Sequence, residues 1–554
     1  MNMKKKYISL MARALAAYTD EHIQNYYQKV RDEGLTEHGF PRLTANLGIL
    51  IAHGVRTDLL AQFCAMMDLC CQQIPRGNAA NEFSVREILL CIAELDSHGT
   101  LPSETLEGWR TQLAAIDPYV CYNKVATAPT DVINNWACFT AVSEYIRQYA
   151  GLCDSRQFVD TQLATQLSRL DENGMYRDPH DPMVYDLVPR GLFALLLHFG
   201  YDGRYRADID NCLRQAGLHT LKMQSVTGEL PFGGRSNQCL FNEALMAIVF
   251  EYEATRYARE GNMTLAGQFK AAIADALDAT EYYLSLDPVH HVKNRFPLHT
   301  RYGCEGYAYF DKYMITTASY LYSAYLMCDD SIPATESCRD AAWQTSPHFH
   351  KVFLRHGDYS LEFDTDADTH YDISGLGRVH RKGAPSPICM SLPCTAKPKY
   401  TIDLEGSNKL ALCPALLQDG KRELGTSVKT QYDLDQLACD DDSARAQLVC
   451  TFERGGQVEH SYCVNNNGVS ITVRGEGKIG YILPAFVFDG ETATEITATD
   501  NTLEIGYGGW VCRYSTNSTI CELDRPARNR NGHYRTFLAT GEREIKIHIE
   551  IAKA

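Results

Sequence analysis

The segment NEALMAIVFEYEATRYA, residues 242–258, has apolar residues at intervals of three and four, whereas HKVFLRHGDYSLEFDTD, residues 350–366, alternates polar and apolar residues. The first spacing is typical of an amphipathic helix, and the second is typical of a half-buried β-strand. We therefore expect the fold to change from helices to strands between these two segments.

Outward from these segments, helical spacing recurs from residue 1 to about residue 338, in stretches separated by short loops rich in Gly, Pro, Asp and Asn. Successive helices without a strict repeat predict helix pairs closed into an α/α toroid, either incomplete or with six hairpins. After residue 347, alternating stretches between Asn-Gly and Asp-Gly turns predict an antiparallel β-sandwich. We place the toroid at residues 1–342 and the sandwich at residues 343–554.

The formal net charge of -16 argues against nucleic acid as a partner, because phosphate binding requires a positive field. No run of about 18 uncharged apolar residues occurs, so we expect no membrane span. The 20 cysteines are scattered and form no CxxC pair, which indicates buried free thiols in a reducing, cytoplasmic compartment. A homo-oligomer is compatible with the sequence.

The densest group of polar and aromatic residues lies between Val292 and Leu321, where a loop leads into a helix. A second polar stretch, Arg235 to Gln238, follows Gly233 and Gly234 and is expected at a helix start, where backbone N–H groups favour an anion. A simple N-cap at Ser236 or Asn237 is the structural alternative. Together the two stretches predict a site for an acidic ligand at the mouth of the toroid.

The run CEGYAYFDKY, residues 304–313, resembles the Glu-Gly-Pro-Tyr-Tyr segment of the heparinase II/III and oligoalginate lyase superfamily. Asn237-Gln238 resembles the Asn-His pair of that superfamily, with Gln at the second position. The resemblance implies a catalytic helical toroid followed by a β-sandwich, and cleavage of uronic-acid glycans by β-elimination. It implies no cofactor, although a structural or charge-neutralising divalent cation is compatible with it.

Such a lyase removes the proton at C5 of the uronate and expels the substituent on O4, so it needs a base, an acid and a group that neutralises the carboxylate. Tyr309 is the first candidate for base and acid, because nearby Arg and Lys residues would ease loss of its phenol proton. A packed tyrosine with a bonded hydroxyl is the structural alternative. The full set of predicted catalytic residues is Tyr309, Tyr307, Tyr302, His299, Asn237, Gln238 and Arg301.

Further residues are predicted to bind the substrate. Asn135 and Trp136 open a helix and could contact a sugar ring, and Tyr185 precedes another helix start. A basic group in the first sandwich strands, His370, His380 and Arg381, is expected to overhang the toroid, where a histidine could complete the site. With Arg235, Lys293 and Arg295 these residues form the predicted binding set, and no residue is assigned to a metal.

Two other functions fit the same toroid. A glycoside hydrolase would use two carboxylates, for which Glu243, Glu229, Asp186 and Glu305 are candidates. A carbohydrate-binding protein without catalysis would expose aromatic platforms, but the chain has only four tryptophans. We therefore expect a lyase that acts from the end of short imported oligosaccharides, on glucuronate as in rhamnosyl-glucuronate, on guluronate or mannuronate, or on a glycosaminoglycan unit.

Overall fold

The predicted change from helices to strands is confirmed by the computed structural model, which describes residues 2–77, 79–335, 339–403, 405–418, 420–427 and 429–554. The helices of the described residues are Met3–Ala16 (α1), Asp20–Glu33 (α2), Gly39–Ala52 (α3), Leu60–Gln73 (α4), Val85–Ser97 (α5), Ser103–Ala114 (α6), Pro118–Cys121 (α7), Asn123–Thr127 (α8), Trp136–Tyr149 (α9), Arg156–Gln166 (α10), Met183–His198 (α11), Arg206–Met223 (α12), Phe241–Arg259 (α13), Met263–Leu284 (α14) and Phe310–Met327 (α15).

Six of these helices form a closed inner ring, in which α3 packs on α5, α5 on α9, α9 on α11, α11 on α13, α13 on α15, and α15 on α3. The ring helices are apolar on nearly all sides, and residues Gly39 to Ile51 of α3 are all buried. The other long helices pack outside the ring, where α1 covers α15, α10 covers α9, and α14 covers α13. This closed two-layer arrangement of helices is the predicted α/α toroid.

The strands of the second half are Ala341–Gln344 (β1), Lys351–His356 (β2), Tyr359–Asp364 (β3), Gly375–Arg381 (β4), Pro414–Gln418 (β5), Lys421–Leu424 (β6), Gln431–Cys439 (β7), Ala444–Thr451 (β8), Gln457–Asn465 (β9), Gly468–Phe488 (β10), Glu495–Ala498 (β11), Thr502–Tyr507 (β12), Trp510–Thr516 (β13), Thr519–Asn529 (β14) and Gly532–Lys553 (β15). One antiparallel sheet has the order β1-β2-β3-β4. The larger sheet has the order β11-β12-β13-β15-β10-β9-β8-β7, with β14 and β5 paired to β15 and β10. The two sheets enclose one apolar core, as in a β-sandwich.

The two halves are in direct contact. The last helix ends at Met327 and the first strand begins at Ala341, so the boundary proposed between residues 342 and 343 lies inside β1. A small apolar cluster joins α12 to β1 and β2 and includes Met223, Phe349 and Phe353. The sandwich is therefore packed directly on the toroid.

Two further observations concern the helices and the cysteines of the described residues. Among the described residues, no helix is both long and apolar enough to cross a bilayer. The described cysteines form no disulfide, and most of them are buried, as the sequence predicts.

Candidate active site

The loop that leads into α13 makes a sharp turn at Gly233 and Gly234. Gly234 has a positive φ of 78°, and a Cβ there would lie 2.4 Å from the Cβ of Pro182, so only glycine fits. Ser236 and Gln238 also have positive φ values, of 58° and 61°, which cost side-chain-bearing residues energy. The backbone is thus held in a form that the local sequence does not favour.

A buried ion pair holds this strained loop in place. The Glu305 carboxylate accepts a hydrogen bond from the Ser236 backbone N–H at 2.5 Å. Arg530, in the turn between β14 and β15, binds the same carboxylate with both terminal nitrogens, at 2.5 and 3.1 Å. The pKa of Arg530 is raised because Glu305 outweighs the opposing effect of burial. One residue of the sandwich therefore fixes two loops of the toroid.

A second buried carboxylate, Asp178, positions two side chains. It accepts hydrogen bonds from Asn135 Nδ2 at 2.9 Å and from the Arg235 guanidinium. Arg235 also donates to the Pro179 carbonyl, and its guanidinium lies 4.2 Å from the centre of the Tyr185 ring. Asn135 and Arg235, which are 100 residues apart in the chain, are therefore held by one acceptor.

These side chains border a cleft of about 470 Å³ at the mouth of the helical ring. Most of its lining comes from the N-terminal ends of the six ring helices or from the loops just before them, while Asn123 belongs to α8 and Tyr320 to the middle of α15. The residues are Thr36, Glu37, His38, Arg42, Ala80, Phe83, Asn123, Asn135, Trp136, Phe139, Tyr185, Val188, Arg235, Phe241, Tyr307, Lys312, Tyr313, Thr316 and Tyr320. Because the positive ends of six helix dipoles converge there, the cleft favours an anion.

Three phenols meet on one wall of the cleft. The Ser236 hydroxyl lies 3.1 Å from the Tyr185 hydroxyl and 3.3 Å from the Tyr307 hydroxyl, and the Tyr307 and Tyr313 rings pack together. Burial raises the pKa of Tyr185, Tyr307 and Tyr313, and Glu305 raises each further, while Arg235 only partly opposes this for Tyr307. The three phenols are thus protonated at neutral pH and can donate a proton. The expectation that nearby cations would ease proton loss is wrong for Tyr307, because burial and Glu305 raise its pKa more than Arg235 lowers it.

Of the residues predicted from the sequence, Asn135, Trp136, Tyr185, Arg235 and Tyr307 line this cleft. The first candidate, Tyr309, lies just outside it.

Tyr309 immediately precedes α15, and its half-exposed ring packs against the guanidinium of Arg301 at 4.3 Å. It lines a neighbouring depression of about 370 Å³, which shares Glu37 and Lys312 with the cleft. Arg301 donates to the backbone oxygens of Glu305 and Gly306 and does not line the cleft.

Four further predicted catalytic residues, besides Tyr309 and Arg301, lie outside the cleft. Asn237 and Gln238 are buried three to four residues before α13 begins, and the Gln238 carbonyl accepts the Lys293 N–H. Tyr302 is buried and stacks on Phe296 at 3.6 Å, against the sandwich. His299 is exposed on a short 3-10 turn. Asn237 and Gln238 belong to the loop before α13, and His299 and Tyr302 to the loop before α15, and none of the four is among the residues that line the cleft.

Five predicted binding residues also lie elsewhere. Lys293 and Arg295 line a different cavity, paired with Glu243 and Glu491 respectively. His380 is buried between the domains against Ser225 and Ser391. Arg381 donates to the Ile551 carbonyl, and His370 is exposed and bonded to Asp368. None of the basic group expected to complete the cleft lines it: His380 and Arg381 belong to β4, and His370 lies in the loop between β3 and β4.

The sequence did not lead us to predict the residues that the N-terminal region contributes to the cleft. Glu37 and His38 directly precede α3, and Arg42 follows in its first turn. Burial and the Arg42 guanidinium lower the pKa of His38 to about 3, so its imidazole is neutral at neutral pH. The buried Nδ1 atom of His38 has no hydrogen-bond partner among the described residues. The available signal was the polar pair Glu37-His38 directly before a largely apolar helix, by analogy with Asn135 directly before α9.

The carboxylates considered for a hydrolase are occupied elsewhere. Asp186 is paired with Arg190, Glu305 with Arg530, and Glu243 with Lys293, and all three side chains are buried. Glu229 is buried and accepts from Ser386. Among the described residues that line the cleft, Glu37 is the one carboxylate, and it lies 2.7 Å from the Lys312 ammonium.

Only one group in the described ranges could hold a metal ion, and it lies outside the cleft. His53, Glu94 and His98 offer donor atoms within 4.8 Å of one another. They lie at or near the C-terminal ends of α3 and α5, whereas the cleft lies at the N-terminal ends.

No family model and no curated protein matches the sequence. Solved structures with a similar fold include heparan sulfate lyase HepC from Pedobacter heparinus, at 10% identity and a TM-score of 0.38 over 89% of this chain and 76% of that chain. A glycosyl hydrolase family 88 protein from Bacteroides vulgatus has 13% identity and a TM-score of 0.37 over 58% of this chain and 98% of that chain. With TM-scores below 0.5 these similarities carry no argument about function, and we assign no residue role from them.

We predict that Glu305→Gln destabilises the protein by about 3 kcal/mol, because it leaves the buried Arg530 without its charged partner. Chemical denaturation would measure the change. Glu522→Gln is the matched control, since Glu522 pairs with Arg535 at the surface, and we expect it to cost less than about 1 kcal/mol. Equal effects of the two substitutions would contradict a structural role for the buried pair.

Asp372 provides a pH-dependent test of the same loop. Its buried carboxyl accepts the Gly234 N–H at 2.7 Å, and burial, only partly opposed by Lys351, raises its pKa from 3.8 to about 7. Because the folded state binds this proton more tightly, its contribution to stability is complete below pH 3.8 and is lost as the pH rises to about 7.

We therefore expect wild type to lose stability relative to Asp372→Asn by about 1.4 kcal/mol per pH unit across that window. Urea denaturation of both proteins at a series of pH values would measure this difference. A difference that does not change with pH would show that Asp372 is ionised throughout.

Proposed function

We propose that the protein is a lyase that cleaves short uronic-acid-containing oligosaccharides by β-elimination. The observation that carries the proposal is the convergence of six helix N-termini on a cleft lined by Arg42, Arg235 and Lys312, with Glu37 as its one described carboxylate. Each of these cations is paired with a carboxylate, Glu87, Asp178 or Glu37, so the positive field at the mouth of the ring comes mainly from the helix N-termini. A uronate carboxylate is the sugar group that such a field binds.

The same cleft offers an acid and a base for the elimination. We assign the base to His38, the one histidine among the described residues that line the cleft, and the acid to Tyr307, whose protonated phenol would protonate O4 as the C4–O4 bond breaks. The C5–H electron pair becomes the C4–C5 double bond of the product. Solvent then returns a proton to Tyr307 and removes one from His38.

Stabilisation of the charge that develops on the uronate carboxylate is assigned to Arg235 and Asn135. Asp178 holds both side chains in position before the substrate arrives, so little reorganisation is needed. Trp136 lines the cleft beside Asn135 and is suited to pack against a sugar ring. Tyr185 completes the wall through its bond with Ser236.

A cavity of about 470 Å³ fits a small ligand better than a long polysaccharide. We therefore infer action on the end of short oligosaccharides, in a cytoplasmic setting that agrees with the absence of disulfides among the described cysteines. Glucuronate in a rhamnosyl-glucuronate unit, guluronate or mannuronate, and a glycosaminoglycan unit are the substrates proposed.

Incubation of the protein with those oligosaccharides should produce the ultraviolet absorbance of a C4–C5 double bond, in parallel with new reducing ends. The substrate that gives this absorbance identifies the uronic acid and the linkage. New reducing ends without the absorbance would contradict elimination and would favour a hydrolase in which Glu37 is the acid. The pKa of Glu37 is raised to about 7 by burial and by Asp311.

We predict that Tyr307→Phe and His38→Gln each lower turnover on the order of 100-fold, because each removes one proton-transfer group. Tyr309→Phe is the matched control, since its ring lies two residues away but outside the cleft. Initial rates and circular dichroism of the three variants would be compared. Loss of activity in Tyr309→Phe together with wild-type rates in Tyr307→Phe would restore Tyr309 as the catalytic tyrosine.

A further inference from the structure

A second cavity, of about 680 Å³, lies between α14 and the sandwich. It shares no lining residue with the cleft. The bridge between Cys239 and Val292, and the hydrogen bond from the Lys293 N–H to the Gln238 carbonyl, lie between the two. Its size and its position at a domain interface are those of a small-molecule site.

Aromatic side chains from both domains face this cavity. Tyr282 and Tyr283 come from the last turns of α14, and Tyr507 and Trp510 come from the turn between β12 and β13. Tyr282 is 52% exposed although it is a large ring on a helix. Exposed aromatic rings at the wall of a cavity favour a ligand with an apolar face.

Two buried side chains that line the cavity, Glu229 and Asn531, each have one acceptor atom without a hydrogen bond among the described residues. Glu229 and Asn531 are more than nine-tenths buried, and Glu229 Oε2 and Asn531 Oδ1 have no hydrogen-bond partner among the described residues. Lys293 Nζ lies 3.5 Å from Glu229 Oε2, as an ion pair, and forms its hydrogen bond with Glu243. Buried acceptors of this kind require an explanation, and a ligand with hydroxyl donors supplies one.

The charge of the cavity differs from that of the cleft. Its acidic lining residues are Glu229, Asp275, Asp278, Asp489 and Glu491, and its basic ones are Lys293, Arg295 and Lys382. The excess of carboxylates disfavours an acidic sugar. The buried ammonium of Lys293 at the floor equally disfavours a cationic ligand.

We propose that this interdomain cavity is a second binding site, which takes a neutral sugar residue. The rings of Tyr282, Tyr283 and Trp510 pack against the C–H face of the sugar, and its hydroxyl groups donate to Glu229 and Asn531. The site is independent of the lyase proposal, because it uses none of the residues of the cleft.

The test is calorimetric titration of the full chain with three neutral probes: methyl β-D-glucopyranoside, methyl β-D-galactopyranoside and methyl α-L-rhamnopyranoside. We expect at least one of them to bind. Ala279→Phe, which fills the cavity from α14, should abolish this binding. Tyr282→Ala should weaken it about tenfold through loss of the stacked ring.

Tyr149→Ala is the matched control for Tyr282→Ala, because Tyr149 is an exposed helical tyrosine, 66% exposed, outside both cavities. It should bind the probe as wild type does, and so should Tyr307→Phe, which alters only the cleft. Circular dichroism of each variant would establish that it is folded. These binding measurements do not depend on whether the protein is a uronate lyase.

Three outcomes would overturn the proposal. The first is that no neutral glycoside binds. The second is that binding persists in Ala279→Phe, which would place the sugar elsewhere. The third is that glucosamine or glucuronate binds more tightly than the neutral probes and that Ala279→Phe removes this binding. The site would then be one for a charged ligand.

Discussion

The ion pair between Glu305 and Arg530 is the interaction on which the geometry of the cleft depends. Glu305 lies in the loop before α15, Ser236 in the loop before α13, and Arg530 in a turn of the sandwich. The toroid alone would leave the buried Glu305 carboxylate without its counter-charge, at a cost of several kcal/mol. The positive φ of Ser236 persists because this contact compensates for its strain. The sandwich is thus part of the site although, among its described residues, none lines the cleft.

The direction of the ring helices sets the electrostatics of the cleft. Each inner helix starts at the mouth and runs away from it, so unpaired N–H groups gather at one end of the ring. This explains how a chain of net charge -16 can present a site for an anion. Asp178 and Glu87, which pair with Arg235 and Arg42, lie behind the guanidinium groups and fix their direction. The field is therefore a property of the fold as much as of its charged side chains.

The fold and part of the site could be predicted from the sequence. Helical and strand periodicity is a local signal, and it was sufficient for the toroid, the sandwich and their order along the chain. Asn135, Trp136 and Tyr185 could be anticipated because each lies at a helix start, and every ring helix starts at the cleft. Arg235 lines the cleft too, but the helix start expected at Arg235 to Gln238 lies at Phe241 instead. The same rule applied to α3 would have found Glu37 and His38.

What could not be read from the sequence was the path of the loop from Val292 to Tyr309. Its polar residues were expected to act together, but the loop passes two cavities in turn. Lys293 faces the interdomain cavity, and Tyr307 faces the cleft fourteen residues later. Only tertiary contacts decide this division, such as the bond from the Arg295 N–H to the Asp489 carbonyl.

The two cavities nevertheless share their supports. In the turn between β14 and β15, Arg530 binds Glu305 beneath the cleft, while its neighbour Asn531 faces the second cavity. The loop from Val292 to Tyr309 likewise contributes to both. A ligand that orders one of these segments leaves less conformational freedom for a ligand at the other site to restrict. Any coupling between the two sites must therefore be reciprocal.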